Sequence, residues 1–172
     1  IIVVFSTCGI LGKEIQNSKL ILPFSRGCSK AQMVLAKFFH YSLITSFSIF
    51  LGFLINFYYA GILFKGNFSF ERILDSTLCI ILFFIFNIAI TTLLSSIFKK
   101  DVISGIAALF ISYIMLIFKN VTNIYSYLPV KLIEIANTFS TKGIEKPLII
   151  VIIFSFIFIA SAIYRMNKIE VI

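Results

Sequence analysis

Charge is scarce in this sequence: Asp, Glu, Lys and Arg make up 13% of 172 residues, and there is a single His. Four stretches, 38–64, 76–98, 102–118 and 147–164, contain none of the four charged types. Proton relays and intramembrane metalloproteases need groups that ionise or coordinate at depth, and these stretches offer only His40. With no Cys, Asp or Glu at ligand spacing beside it, His40 reads as an interfacial side chain. Cys8, Cys28 and Cys79 form no CxxC pair and read as packed thiols, so neither a metal nor a required disulfide is expected. No Gly-x-Ser-x-Gly elbow and no P-loop is present, which leaves the chain without a cofactor or a nucleotide site of its own. The apolar start has neither a basic leader before it nor a small-residue cleavage site after it, so it is not expected to be a signal peptide.

What is abundant is apolar: hydrophobic residues are 60% of the chain and the mean hydropathy is +1.07. A soluble domain of this size could not carry that composition on its surface. Each uncharged stretch approaches the roughly 17–25 residues of a bilayer-spanning helix. Strands would leave unpaired edges in lipid, so the sequence predicts an all-α, polytopic transmembrane bundle forming one domain over 1–172. Four spans are expected, and residues 1–12 read as the end of a further span that begins outside this chain.

The net charge of +8 could suggest nucleic acid, but the basic residues sit at the ends of apolar spans and form no patch with aromatic platforms. They set topology instead. If 13–37 is cytoplasmic, so are 99–101 and the tail from Arg165. That side then holds Lys13, Lys19, Arg26, Lys30, Lys37, Lys99, Lys100, Arg165 and Lys168, nine of the fifteen basic residues, clustered at span ends where they weigh most. The expected home is a cell membrane, and richness in Ile, Phe, Lys and Asn suits a bacterium.

Local signals predict where helices begin. Ser29-Lys30-Ala31-Gln32 fits a capping box, which starts a helix near Lys30. Ser69 before Glu71 and Asp101 after Lys100 are expected caps of the next two spans, and Pro147 suits the first position of the last. Ser104, Ala108 and Ser112 recur every four residues, a small-residue stripe suited to close helix packing. Asn56, Asn87, Thr91 and Thr92 are the polar groups expected inside the first two spans, as interhelical hydrogen bonds or as the lining of a pathway. In the long loop 119–146, residues 130–136 form a short piece expected to lie along the outer interface, with Tyr125 and Tyr127 in an aromatic belt.

The segment 13–37 mixes polar and apolar residues and is too polar to cross. Leu11, Ile15 and Leu22 share a helical face, so a short helix is expected along the inner interface until Pro23 breaks it. The order of features resembles the membrane subunit of an ABC-2 type transporter. Glu14 follows a span; Leu20-Ile21-Leu22-Pro23-Phe24-Ser25-Arg26 leads to Lys30 and Lys37; Leu93 to Lys100 closes a span; Pro129 lies in the last outer loop; Tyr164 to Glu170 ends the chain. Where family members often carry Glu-x-Glu and Gly-Thr, this chain has Lys13-Glu14 and Asn17-Ser18.

That resemblance implies a six-span core of which 1–12 is the end of the second span, and a coupling helix in 13–30 that docks a separate ABC ATPase subunit. Glu14, Arg26 and Lys30 would make the polar contacts there, and Leu20, Leu22 and Pro23 the apolar face. It further implies a second permease subunit, a path for export between two bundles, and catalysis confined to the ATPase. The alternative is a non-transporting membrane protein, such as an immunity or assembly factor, in which 13–30 is only a surface helix.

Overall fold

The computed structural model describes residues 2–9, 11–16, 26–64, 69–98, 100–118, 125–138 and 143–168. Among them the chain is all-helical. The helices are α1 (Ile2–Thr7), α2 (Gly12–Gln16), α3 (Lys30–Phe64), α4 (Phe70–Ile97), α5 (Asp101–Ile117), α6 (Lys131–Thr138) and α7 (Glu145–Lys168). Three of them, α3, α4 and α7, are long and apolar enough to cross a membrane. Of the four expected spans, α5 is the shorter one: its 17 residues reach only about 26 Å, against a hydrocarbon core of about 30 Å. Large apolar side chains cover the outside, among them Leu43, Phe47, Phe110 and Phe156, each more than 60% exposed. Such a surface suits lipid, and the protein is a transmembrane helix bundle.

α3 begins where the capping box predicts. The Ser29 hydroxyl accepts from Gln32 N at 3.1 Å, and the Gln32 side chain accepts from Ser29 N at 3.0 Å. The other expected starts differ in detail. Ser69 occupies the N-cap of α4, but its hydroxyl makes no capping bond. Lys100 is the N-cap of α5 and Asp101 its first helical residue, where a carboxylate still favours the positive end of the helix dipole. Pro147 is the third residue of α7 and not the first; the first turn lacks internal N–H partners anyway, so the imide costs nothing there.

α4 is the centre. Half of its most apolar window is buried, compared with 11% for α3 and 22% for α7. The main core joins Phe86 and Ile90 of α4 to Val4, Ala108, Leu132 and Val151, which brings α1, α5, α6 and α7 onto this one helix. A second cluster packs Leu11, Val34, Ala162 and Met166 together, gathering the ends of α1, α3 and α7 beside α2. The bundle therefore has two distinct ends. One holds α2, the start of α3, the end of α4, the start of α5 and the end of α7; the other holds the end of α3, the start of α4 and α6.

α6, the short piece expected along the outer interface, packs onto α4. Leu132, Ile135 and Ala136 are buried, and the Ser76 hydroxyl of α4 donates to Ala136 O at 2.8 Å. Beside it, Tyr125 donates to the Glu134 carboxylate, and Lys146 lies 5.2 Å from the centre of the Tyr127 ring.

Two predictions follow from this packing. A Cβ on Gly105 would meet Cys8 Cβ at 3.2 Å and Phe5 at 3.5 Å, so Gly105→Leu is expected to lever α1 off α5 and destabilise the bundle by about 1–3 kcal/mol in denaturant titration. Burial first, then the hydrogen bond and charge of Glu134, push the Tyr125 phenol above its ordinary 10.0. The folded state thus holds that proton more tightly than the unfolded chain, and stability is complete below about pH 10 and falls above it. Wild type is expected to lose more stability than Tyr125→Phe when pH is raised past that point.

Candidate functional site

Two of the residues read as site candidates in the sequence, Asn87 and Thr91, share one stripe of α4 with Ser95. Asn87, Thr91 and Ser95 are spaced by four, so they stack on one face. Asn87 Nδ2 donates to Phe83 O at 2.8 Å, while its Oδ1 accepts from Ser112 Oγ of α5 at 2.7 Å. Thr91 Oγ1 lies 2.7 Å from Asn87 O, and Thr7 Oγ1 of α1 approaches it at 3.3 Å. One turn further, Ser95 Oγ accepts from the backbone N–H groups of Leu11 and Gly12 at 3.0 and 2.9 Å. Those two donors open α2, so a side chain of α4 caps that short helix from outside.

The small-residue stripe of α5 faces the same seam. Ser104 Oγ lies 2.8 Å from Cys8 O, a Cβ on Gly105 would run into Cys8 and Phe5, Ala108 is buried, and Ser112 reaches Asn87. Small residues here let α1 and α5 approach closely enough for hydroxyl-to-carbonyl bonds. In hydrocarbon such bonds contribute about 0.6 kcal/mol each and at most about 1.7. With its polar groups paired to one another, this seam holds α1, α4 and α5 together.

Asn56 is a correction. It is exposed on α3, away from the seam, because the positions four residues either side are Gly52 and Ala60 and give it no polar stripe to join. Sequence reading missed Thr7 and Ser95, whose roles depend on the backbone of another helix. The spacing of Ser95 from Asn87 and Thr91 was the available signal.

The other candidate site lies at the end that holds α2. Glu14 forms an ion pair with Lys37 of α3, both partly exposed. Lys30 Nζ lies 3.5 Å from Asn167 O, at the negative end of the α7 dipole. Arg26 is exposed, Arg165 is exposed, and Lys168 stands 4.5 Å over the Tyr164 ring. Glu14, Arg26 and Lys30 thus share one end of the bundle. Leu20, Leu22 and Pro23 lie outside the described residues. His40 packs edge-on against Tyr41 at 5.4 Å, and among the described residues no three His, Cys, Asp or Glu side chains gather at metal-binding distance.

No family model matches the sequence, and comparison with curated proteins and with solved structures returns no match. The class defined by the fold is an integral membrane helix bundle organised on α4.

The pairing across the seam predicts a measurable coupling. In a double-mutant cycle with Asn87→Ala and Ser112→Ala, unfolding in mixed micelles is expected to give an interaction energy between about 0.6 and 1.7 kcal/mol. A cycle on Asn56 with Ser112 is expected to give none.

Proposed function

We propose that the protein is the permease subunit of an ABC-2 type exporter, which pairs with a second permease subunit and receives ATP-driven motion from a separate ATPase subunit through residues 13–30. The observation that carries this reading is the anchoring of that segment. Its entry is fastened by Ser95 to the Leu11 and Gly12 amides and by Glu14 to Lys37; its exit is fastened by the Ser29–Gln32 capping box and by Lys30 on the end of α7. A segment tied at both flanks to α3, α4 and α7 can pass a push from a docked partner to the spanning helices. A loose surface loop could not.

The same end carries Arg26, Lys30, Lys37, Lys100, Arg165 and Lys168, a concentration that supports a cytoplasmic orientation. The residue order from Glu14 to Lys37 supports the family reading. A bacterial cell membrane follows from it, with 13–37, 99–101 and the C-terminal tail inside. The rival reading, a non-transporting immunity or assembly protein, keeps the bundle and dispenses with the ATPase.

The test is affinity purification of the tagged protein from its native membranes, followed by ATP hydrolysis measurements. A P-loop ATPase is expected to co-purify, and Glu14→Ala with Arg26→Ala is expected to release it while the protein stays folded. The pair Glu14–Lys37 is partly exposed, so its loss costs less than about 1 kcal/mol of stability. A double variant that retains its ATPase and its hydrolysis rate would overturn the coupling role, and recovery of no ATPase at all would favour the rival.

A further inference from the structure

A cavity of about 410 Å³ opens between α3, α4 and α7, on the side of the bundle away from α5. Phe38 and Phe39 of α3, Ile85 of α4, and Val151, Ser155 and Ile159 of α7 form its walls. At the rim, Phe39 and Phe156 are 58% and 77% exposed, so the opening faces the hydrocarbon of the membrane and not water. Its size falls within the roughly 300–1,000 Å³ of small-molecule sites, which pair an apolar lining with a few placed polar groups. Here there is one such group.

Ser155 is 8% exposed, and its hydroxyl has no hydrogen-bond partner. Serines and threonines inside spans usually satisfy themselves on the carbonyl four residues back, as Thr77, Thr91 and Thr92 do in this chain. Ser155 does not. It also lies near the middle of α7, about 15 Å or more from either end, beyond the depth at which interfacial water or a phospholipid ester could reach it. An unmade hydrogen bond at that depth costs about 1–3 kcal/mol, a cost that a ligand with an acceptor would remove. No lining residue is titratable, so a charged ligand would be buried without a counter-ion and is disfavoured.

We propose that this cavity binds an uncharged, lipophilic carbonyl compound that enters from the hydrocarbon phase, its oxygen accepting from Ser155 Oγ. The apolar walls hold the body of the molecule, and the hydroxyl selects for the acceptor. An acyl chain fits the walls but leaves Ser155 unpaired; a helix from a second copy would cover the opening. This site does not depend on the permease reading and would stand in a non-transporting protein.

The probe is benzophenone, a neutral diaryl ketone that inserts into nearby C–H bonds on irradiation, applied to the full chain in phosphatidylcholine nanodiscs. Saturable labelling is expected at cavity residues of α3 and α7, mapped by peptide mass spectrometry. Diphenylmethane, which lacks only the carbonyl oxygen, is expected to compete about fivefold to tenfold less well than unlabelled ketone. Ser155→Ala is expected to weaken labelling by a similar factor and to erase that difference, without lowering thermal stability, since it breaks no bond. Ala160→Phe, at the opening, is expected to block labelling. Equal labelling of wild type and Ser155→Ala would leave only an apolar groove for acyl chains and overturn the proposal. Labelling spread along the outer helix faces without saturation, or none because a second copy covers the cavity, would overturn it too.

Discussion

Hydrocarbon gives a polar group no water to fall back on, and this single constraint orders the whole bundle. Backbone groups must be satisfied within helices. Side-chain hydroxyls and amides must then find partners on their own helix or a neighbour. α4 concentrates these demands on one stripe, and the helices that meet them are the ones packed against it: Ser112 of α5 on Asn87, Thr7 of α1 near Thr91, and the opening of α2 on Ser95. The arrangement makes α4 the axis to which the other elements are referenced.

The two ends of the bundle differ in chemistry. One closes with α6 laid across α4 through Ser76 and a small apolar face, with an aromatic and acidic fringe of Tyr125, Tyr127 and Glu134. The other gathers exposed cations around the segment that leaves α2 and returns at α3. α3 is long enough, at 35 residues or about 52 Å, to carry its first turns with Lys30 and Lys37 well beyond a bilayer core. That end therefore offers a platform outside the hydrocarbon, mechanically joined to three spanning helices.

Much of the fold was legible because the signals are local or one-dimensional. Absent charge marks the spans, and Ser29 with Gln32 marks a helix start that the hydrogen bonds reproduce. Signals that need a partner in space were not legible. Asn56 and Asn87 both sit in uncharged runs, yet one is exposed and the other buried; only the periodic company of Thr91 and Ser95 separates them. Ser95 serves the backbone of Leu11 and Gly12, more than eighty residues away in sequence, which no local pattern announces. Asp101 and Pro147 were displaced from their expected helix positions by one and two residues, because several positions of a first turn tolerate an acid or an imide equally. Ser155 reads like any other serine in a span; its lack of a partner, which Ser42 shares, and its place in the cavity wall become visible only in three dimensions.

The central proposal is that the basic end of this membrane bundle, with Glu14, Arg26 and Lys30, faces the cytoplasm, the side on which the proposed ATPase would dock. Cys28 reports on it directly, being exposed at that end while Cys8 and Cys79 are buried. The decisive measurement is labelling of Cys28 with a membrane-impermeant maleimide in intact cells and in inverted vesicles. The account predicts labelling in the vesicles alone; labelling of Cys28 from outside intact cells would contradict it.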